Sequence, residues 1–187
     1  SKLLGSAPYS GYEFKMDGGK ISFELYSGVS SNGIQVRTTA TYNNGAWRHV
    51  AITYDGSSNA SGVNIYVDGA VVASGVLQNN LSASTISSAP LNIGTRDNGA
   101  WGDFLGSMDE VRIWNHARTA SQISNNKDTE LVGNETGLDA YYDFNQGIAG
   151  ASNTGITTLT DKTSNGYDGT LTSFSLSGST SNWIAGA

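Results

Sequence analysis

The stretch Phe104-Leu-Gly-Ser-Met-Asp-Glu-Val-Arg-Ile-Trp-Asn115, running directly into His116-Ala-Arg-Thr-Ala-Ser-Gln-Ile123, decides the fold. Side chains alternate between the two faces of a strand, so Asp109, Val111 and Ile113 are expected on one face and Met108, Glu110, Arg112 and Trp114 on the other. Val111 and Ile113 read as core, which places Asp109 at the start of a buried face. A buried carboxylate there needs hydrogen bonds or a cation. Glu110 and Arg112, two apart, read as a solvated pair on the outer face. Thr119 followed three residues later by Gln122 has the spacing of a capping box. The run therefore predicts one short helix near 119–126, ended by Asn125-Asn126.

Outward from this run, everything reads as strand and turn. Tyr12, Phe14 and Met16 alternate with Glu13 and Lys15, and Ile21, Phe23 and Leu25 alternate with Ser22 and Glu24. Asp17-Gly18-Gly19 lies between the two runs, and its glycines suit the positive φ of a tight hairpin turn. Ile34-Val36 continues the pattern. Val50, Ile52 and Tyr54 form one strand face, and Val63, Ile65 and Val67 the next. Asp68-Gly69 before Val71-Val72 predicts a second hairpin, and Leu91-Ile93 and Val111-Ile113 are expected to complete the central strands. Many strands, 24 glycines and a single helix point to an all-β, two-sheet antiparallel sandwich. A length of 187 residues suits one such domain.

Three segments, taken in order, carry a resemblance. Trp47-Arg-His-Val-Ala-Ile-Thr-Tyr-Asp-Gly56, Val63-Asn-Ile-Tyr-Val-Asp-Gly69 and the 104–123 run, joined by Leu91-Asn-Ile-Gly94, resemble the laminin-G-like, concanavalin A-like jelly-roll domains of secreted bacterial proteins. The resemblance spans about residues 10 to 145. It implies one jelly-roll sandwich over residues 1–187, with 138–187 as a C-terminal segment completing it. An early strand of the family is missing before Ser1-Lys2, and the C-terminal segment is expected to supply it, because an open hydrophobic edge invites association. The start at Ser-Lys-Leu suggests a piece of a longer precursor, with other domains of that parent protein as partners.

Composition removes several kinds of chemistry. A net charge of −6 argues against a nucleic-acid partner, and no apolar run is long enough for membrane insertion as a helix. The absence of cysteine excludes disulfides and thiolate metal sites. Two histidines, His49 and His116, cannot make a three-histidine zinc site. Neither a Gly-x-Ser-x-Gly elbow nor a phosphate-binding Gly-x-x-x-x-Gly-Lys loop occurs. Glucanases that resemble this fold carry Glu-x-Asp-x-x-Glu on one strand. Around Asp109 the outer positions are Ser107 and Arg112, so a catalytic role is not expected.

Two candidate sites remain. Calcium takes oxygen ligands, and pentraxins, distantly similar in fold, bind it through an acidic loop before the strand that corresponds to Gly106–Asn115. Here that loop is Gly94-Thr-Arg-Asp-Asn-Gly-Ala-Trp-Gly-Asp103. Asp97 and Asp109 are the candidate ligands of a structural calcium ion, and a plain turn is the other reading of Asp97-Asn98-Gly99. A glycan needs an aromatic platform beside polar groups. Trp101 stands in this Gly-rich loop, with Arg96, Asn98 and Asp103 as polar partners and Tyr42-Asn43-Asn44-Gly45 as a neighbouring rim. Trp47 and Trp114 are expected to be packed, and Trp183 to dock the tail. The expectation is a non-catalytic, secreted or cell-surface recognition module for a glycan or another surface ligand. A calcium-stiffened adhesin spacer is the alternative, and a glycoside hydrolase the disfavoured third reading.

Overall fold

The computed structural model describes residues 9–96, 102–179 and 182–186. The chain divides into two compact units: 1–106 with 117–127, and 107–116 with 128–187.

The first unit has two antiparallel sheets. One has the order β1-β2-β3-β7, from Gly11–Asp17, Lys20–Ser27, Val29–Thr38 and Ser74–Asn79. The other has the order β4-β5-β6, from Val50–Tyr54, Val63–Val67 and Ala70–Val71. Both expected hairpins form. Asp17 pairs with Lys20 across Gly18 (φ 56) and Gly19 (φ 79), and Val67 pairs with Ala70 across Asp68 (φ 50) and Gly69 (φ 83). Two successive positive φ values match the twist of the flanking strands, which is why a two-residue turn closes each hairpin. The core lies between the sheets: Ile21, Phe23, Leu25, Ile34 and Val36 pack with Val63, Ile65 and Val67, and Ile34 is 0% exposed.

The helix α1 runs Ala120–Asn126. Its capping box is made as the spacing predicts: Gln122 N donates to Thr119 Oγ1 at 3.2 Å, and Thr119 N donates to Gln122 Oε1 at 2.9 Å. Ile123 is its buried residue, and Ser124 and Lys127 lie against Gly69, where an added Cβ would stand 3.1 Å from Ser124 Cα.

The second unit holds two two-stranded antiparallel sheets: β8 (Val111–Trp114) with β9 (Leu138–Tyr142), and β10 (Thr158–Leu159) with β11 (Gly169–Thr170). Further contacts tie the C-terminal segment together internally. Trp183 Nε1 donates to Phe144 O at 2.5 Å, and its indole covers Gly147, where a Cβ would meet the ring at 2.1 Å. Asn153 and Asn182 bind one another at 2.8 Å, and Asn182 also donates to Ala151 O. Trp183 thus docks the tail, as its sequence suggested.

Several expectations need correction. The strand of the deciding stretch begins at Val111, because Glu110 has φ 55 and breaks the alternation. Val111 and Ile113 are half-buried and do not form a central core pair. Residues 91–93 lie in no strand. Instead Ser74–Asn79, which has no clean alternation, pairs with β3. Among the described residues β1 is an edge of its sheet, and the C-terminal strands pair with β8 and with each other.

Candidate functional site

Of the residues singled out for ligand contact, Asp97, Asn98 and Trp101 lie outside the described residues. Arg96 and Asp103 are described, and both are engaged. Phe104 N donates to Gly94 O at 2.7 Å, and Thr95 Oγ1 donates to Asp103 Oδ1 at 3.0 Å, which closes the base of the loop. Arg96 Nη1 meets Glu13 Oε2 at 3.1 Å, tying that base to the outer face of β1.

That outer face holds a charge cluster absent from the sequence reading. Glu13 and Glu24 stand directly opposite each other in the β1–β2 register and are only 5% and 4% exposed. Two carboxylates facing each other out of water repel strongly unless cations intervene. Lys15 Nζ lies 2.8 Å from Glu24 and 3.3 Å from Glu13, and Arg96 completes the cluster. Gln35 Nε2 adds a hydrogen bond to Glu24 at 2.7 Å. Burial alone would lower the Lys15 amine, but the bond to Glu24 and the charges of Glu24 and Glu13 hold it above its ordinary value. Burial, and then the negative charge of Glu24, push the Tyr26 phenol up to about 12. The signal was present in the hairpin: counting outward from Gly18-Gly19 sets Glu13 against Glu24.

In the second unit, Asp109 is half-buried, and its Oδ1 accepts from Glu110 N at 2.9 Å. Burial raises its carboxyl above the ordinary range, and the charges of Glu110, Glu130 and Asp143 add to the rise. Among the described residues no group of three or more His, Cys, Asp or Glu is placed to hold a metal ion. A calcium ion at Asp109 would take its remaining ligands from other oxygens, backbone carbonyls and water among them. Glu110 and Arg112 form an ion pair, but not a solvated one: the side chains are 26% and 10% exposed. Tyr141 OH donates to Glu110 Oε1 at 2.6 Å, the Arg112 guanidinium lies 5.7 Å from the Tyr141 ring centroid, and Arg112 also binds Thr129 O. Burial and the bond to Glu110 raise the Tyr141 phenol.

Beside this pair, Asp161 organises the loop that follows. Its carboxylate accepts from Tyr141 N (3.0 Å), Thr163 N (3.0 Å), Thr163 Oγ1 (2.8 Å) and Tyr167 N (2.9 Å). Burial would raise its pKa, but the three backbone donors outweigh it and hold the group below its ordinary value. Its four acceptor positions are filled by the chain.

Trp47 is an exposed aromatic, 44% exposed, where the sequence suggested a packed residue. Its loop, residues 39–49, is held at both ends. On one side Tyr42 N donates to Gly19 O at 2.7 Å, and the Asn43 amide covers Gly19 so closely that a Cβ there would lie 2.5 Å from Asn43 Oδ1. On the other, Asp68 in the β5–β6 turn binds Arg48 Nη1 at 2.7 Å and His49 N at 3.2 Å. Two tight turns therefore anchor the loop that carries Trp47, with Asn43 held over Gly19 and Arg48 on Asp68.

Paired antiparallel sheets with an apolar layer between them define an all-β sandwich. Residues 3–124 match the family Laminin_G_3, the concanavalin A-like lectin/glucanases superfamily, and the chain belongs to it. The chain is also similar to a solved structure, an S-layer domain-containing protein (residues 221–444) from Clostridium thermocellum ATCC 27405. That likeness has 22% identity and a TM-score of 0.36 and covers 68% of this chain and 58% of that one. The chain thus spans less than two thirds of the length of that relative. No curated protein matches it. Among the described residues no helix is long and apolar enough to cross a membrane.

Proposed function

We propose that the chain is a non-catalytic recognition module of a secreted or cell-surface protein, reading a glycan or another surface ligand through rim loops. The observation that carries this reading is Trp47, an exposed indole on a loop clamped at both ends that also carries Asn43, Asn44 and Arg48. A sugar ring stacks on such a face while its hydroxyls take polar partners, and a preorganised loop loses little freedom on binding. The family's description covers both lectins and glucanases, and the charge cluster favours the non-catalytic side. A retaining glycosidase needs one carboxyl to carry a proton and the other to attack, whereas Glu13 and Glu24 are bridged by Lys15, with Arg96 on Glu13.

Titration against a panel of soluble oligosaccharides, followed on tryptophan fluorescence, tests the reading. Trp47→Ala is expected to lower affinity at least about tenfold, the usual effect of truncating an anchoring aromatic, with little change in melting temperature. Binding retained in Trp47→Ala but lost in Trp101→Ala would move the site to the 95–103 loop. No binding by the native chain would leave the spacer reading, and release of reducing ends from a polysaccharide would establish an enzyme. Calcium enters this reading at Asp109, where a cation would relieve the repulsion from Glu110, Glu130 and Asp143. Thermal unfolding in calcium and in EDTA checks it: a ligand of the folded state raises the melting temperature, and equal curves remove calcium from the proposal.

A further inference from the structure

Three Asn-Gly pairs lie among the described residues: Asn32-Gly33, Asn44-Gly45 and Asn165-Gly166. Glycine has no Cβ to shield its own amide nitrogen, so that nitrogen can approach the carboxamide carbon of the asparagine before it. In a folded chain the approach depends on what already holds the two groups. At Asn32-Gly33 both are held. Gly33 N donates to Asn80 Oδ1 at 3.1 Å, Asn32 Oδ1 accepts from Ser82 N at 2.9 Å, and a Cβ on Gly33 would lie 2.4 Å from Leu25 O. At Asn165 the carboxamide is drawn elsewhere, because its Nδ2 donates to Asp139 O at 2.9 Å.

Asn44-Gly45 differs on each count. Both residues are exposed, nothing lies within 4 Å of a Cβ placed on Gly45, and Gly45 N has no hydrogen-bond partner. The Asn44 side chain is bonded locally: its Oδ1 accepts from Ala46 N at 3.3 Å. An asparagine that accepts from the amide two residues on folds its carboxamide back over the intervening peptide. The same bond draws electrons toward Oδ1 and leaves Cγ more open to a nucleophile.

We infer that Asn44 is a self-modification site, deamidated in the folded chain by the amide nitrogen of Gly45. Gly45 N gives its proton to solvent and bonds to Asn44 Cγ, the carboxamide C–N bond breaks, and ammonia leaves. Water then opens the cyclic imide, at one carbonyl to give aspartate and at the other to give isoaspartate. The net exchange is water for ammonia. Either product adds a carboxylate to the loop that carries Trp47 and Arg48. Isoaspartate also lengthens the backbone by a methylene between the anchors at Gly19 and Asp68. The site stands whether or not Trp47 contacts a ligand.

Trypsin places the three pairs in separate peptides: 21–37, 38–48 and the one beginning at Thr163. After the native chain has stood for days in warm, mildly alkaline buffer, peptide 38–48 should gain the mass of an NH2 exchanged for OH. Fragmentation should place the gain at Asn44, and the product should split into two chromatographic forms. The other two peptides should stay unchanged. In guanidinium chloride, where the holding bonds are gone, all three should react alike. Asn44→Gln keeps the amide but would have to close a larger ring, so it should abolish the native gain without altering the circular dichroism. An unchanged 38–48 peptide in the native chain overturns the inference. So does a gain no faster there than in the other two peptides, or one that persists in Asn44→Gln.

Discussion

The two units solve one problem, a carboxylate out of water, in opposite ways. In the first, Glu13 and Glu24 are neutralised by side chains, Lys15 and Arg96, that reach in from β1 and from the base of the 95–103 loop. In the second, Asp161 is satisfied mostly by peptide N–H groups of residues 141, 163 and 167. A side-chain cation can be exchanged and responds to salt, whereas a peptide donor is fixed by the path of the chain. The first arrangement therefore rests on charge balance, and the second on the path of the backbone.

The sharpest way to break the comparison is Asp161→Ala, which leaves three peptide donors unsatisfied at once. A loss of about 3 kcal/mol is expected, since each orphaned donor costs about 1–3 kcal/mol and part is recovered by water. Denaturant unfolding followed on tryptophan emission, with Trp183 packed in the same unit, measures it. Asp161 also has a predicted acid signature. Its folded pKa lies below the unfolded one, so its stabilisation is complete above the unfolded value and is lost as pH falls through the folded value. High salt should leave this acid transition nearly unmoved.

Lys15→Met should cost less, about 2 kcal/mol, because Lys15 keeps contact with solvent while its removal sets Glu13 against Glu24. Adding Glu24→Gln should recover most of that loss. A double variant as unstable as the single one would show that Lys15 acts by packing its methylenes, not by charge. Thr119→Ala, which deletes the cap of α1, is expected to lower stability by about 1 kcal/mol. Smallest is Asp109→Asn. With its folded pKa raised, the ionised Asp109 opposes folding at neutral pH, so the variant should melt at the same temperature or slightly higher in EDTA. A clear fall in calcium alone would instead reveal the metal.

The parts of the fold legible in the sequence were those governed by local rules. Gly18-Gly19 and Asp68-Gly69 fix their hairpins through turn geometry alone, and Thr119 with Gln122 writes the helix start into a four-residue window. Ser74–Asn79 was missed because an added strand held by register with β3 need not alternate, and the bulge at Leu77 erases the period. Strand reading failed at Asp109 because the backbone at Glu110 turns into the left-handed region without a glycine to announce it. The Glu110 side chain is held there by Arg112 and by the Tyr141 hydroxyl, thirty-one positions along the chain. The site was less legible for the same reason. Arg96 looked like a ligand contact from its loop neighbours, but its partner Glu13 lies eighty-three positions away. Trp47 looked packed because it opens a strand motif, whereas the strand starts only at Val50.

The order in which the chain builds its two units has a practical corollary for anyone dissecting it. The path leaves the first unit at residue 107, returns at 117 to contribute α1, and leaves again at 128. Neither unit is a continuous stretch of gene, so no single stop codon or start site can express one of them whole. A truncation at 106 deprives Gly69 of Ser124 and Lys127, and a start at 128 strips β9 of its partner β8. Deletion mapping of an activity on this chain would therefore assign it to both halves, wherever it resides.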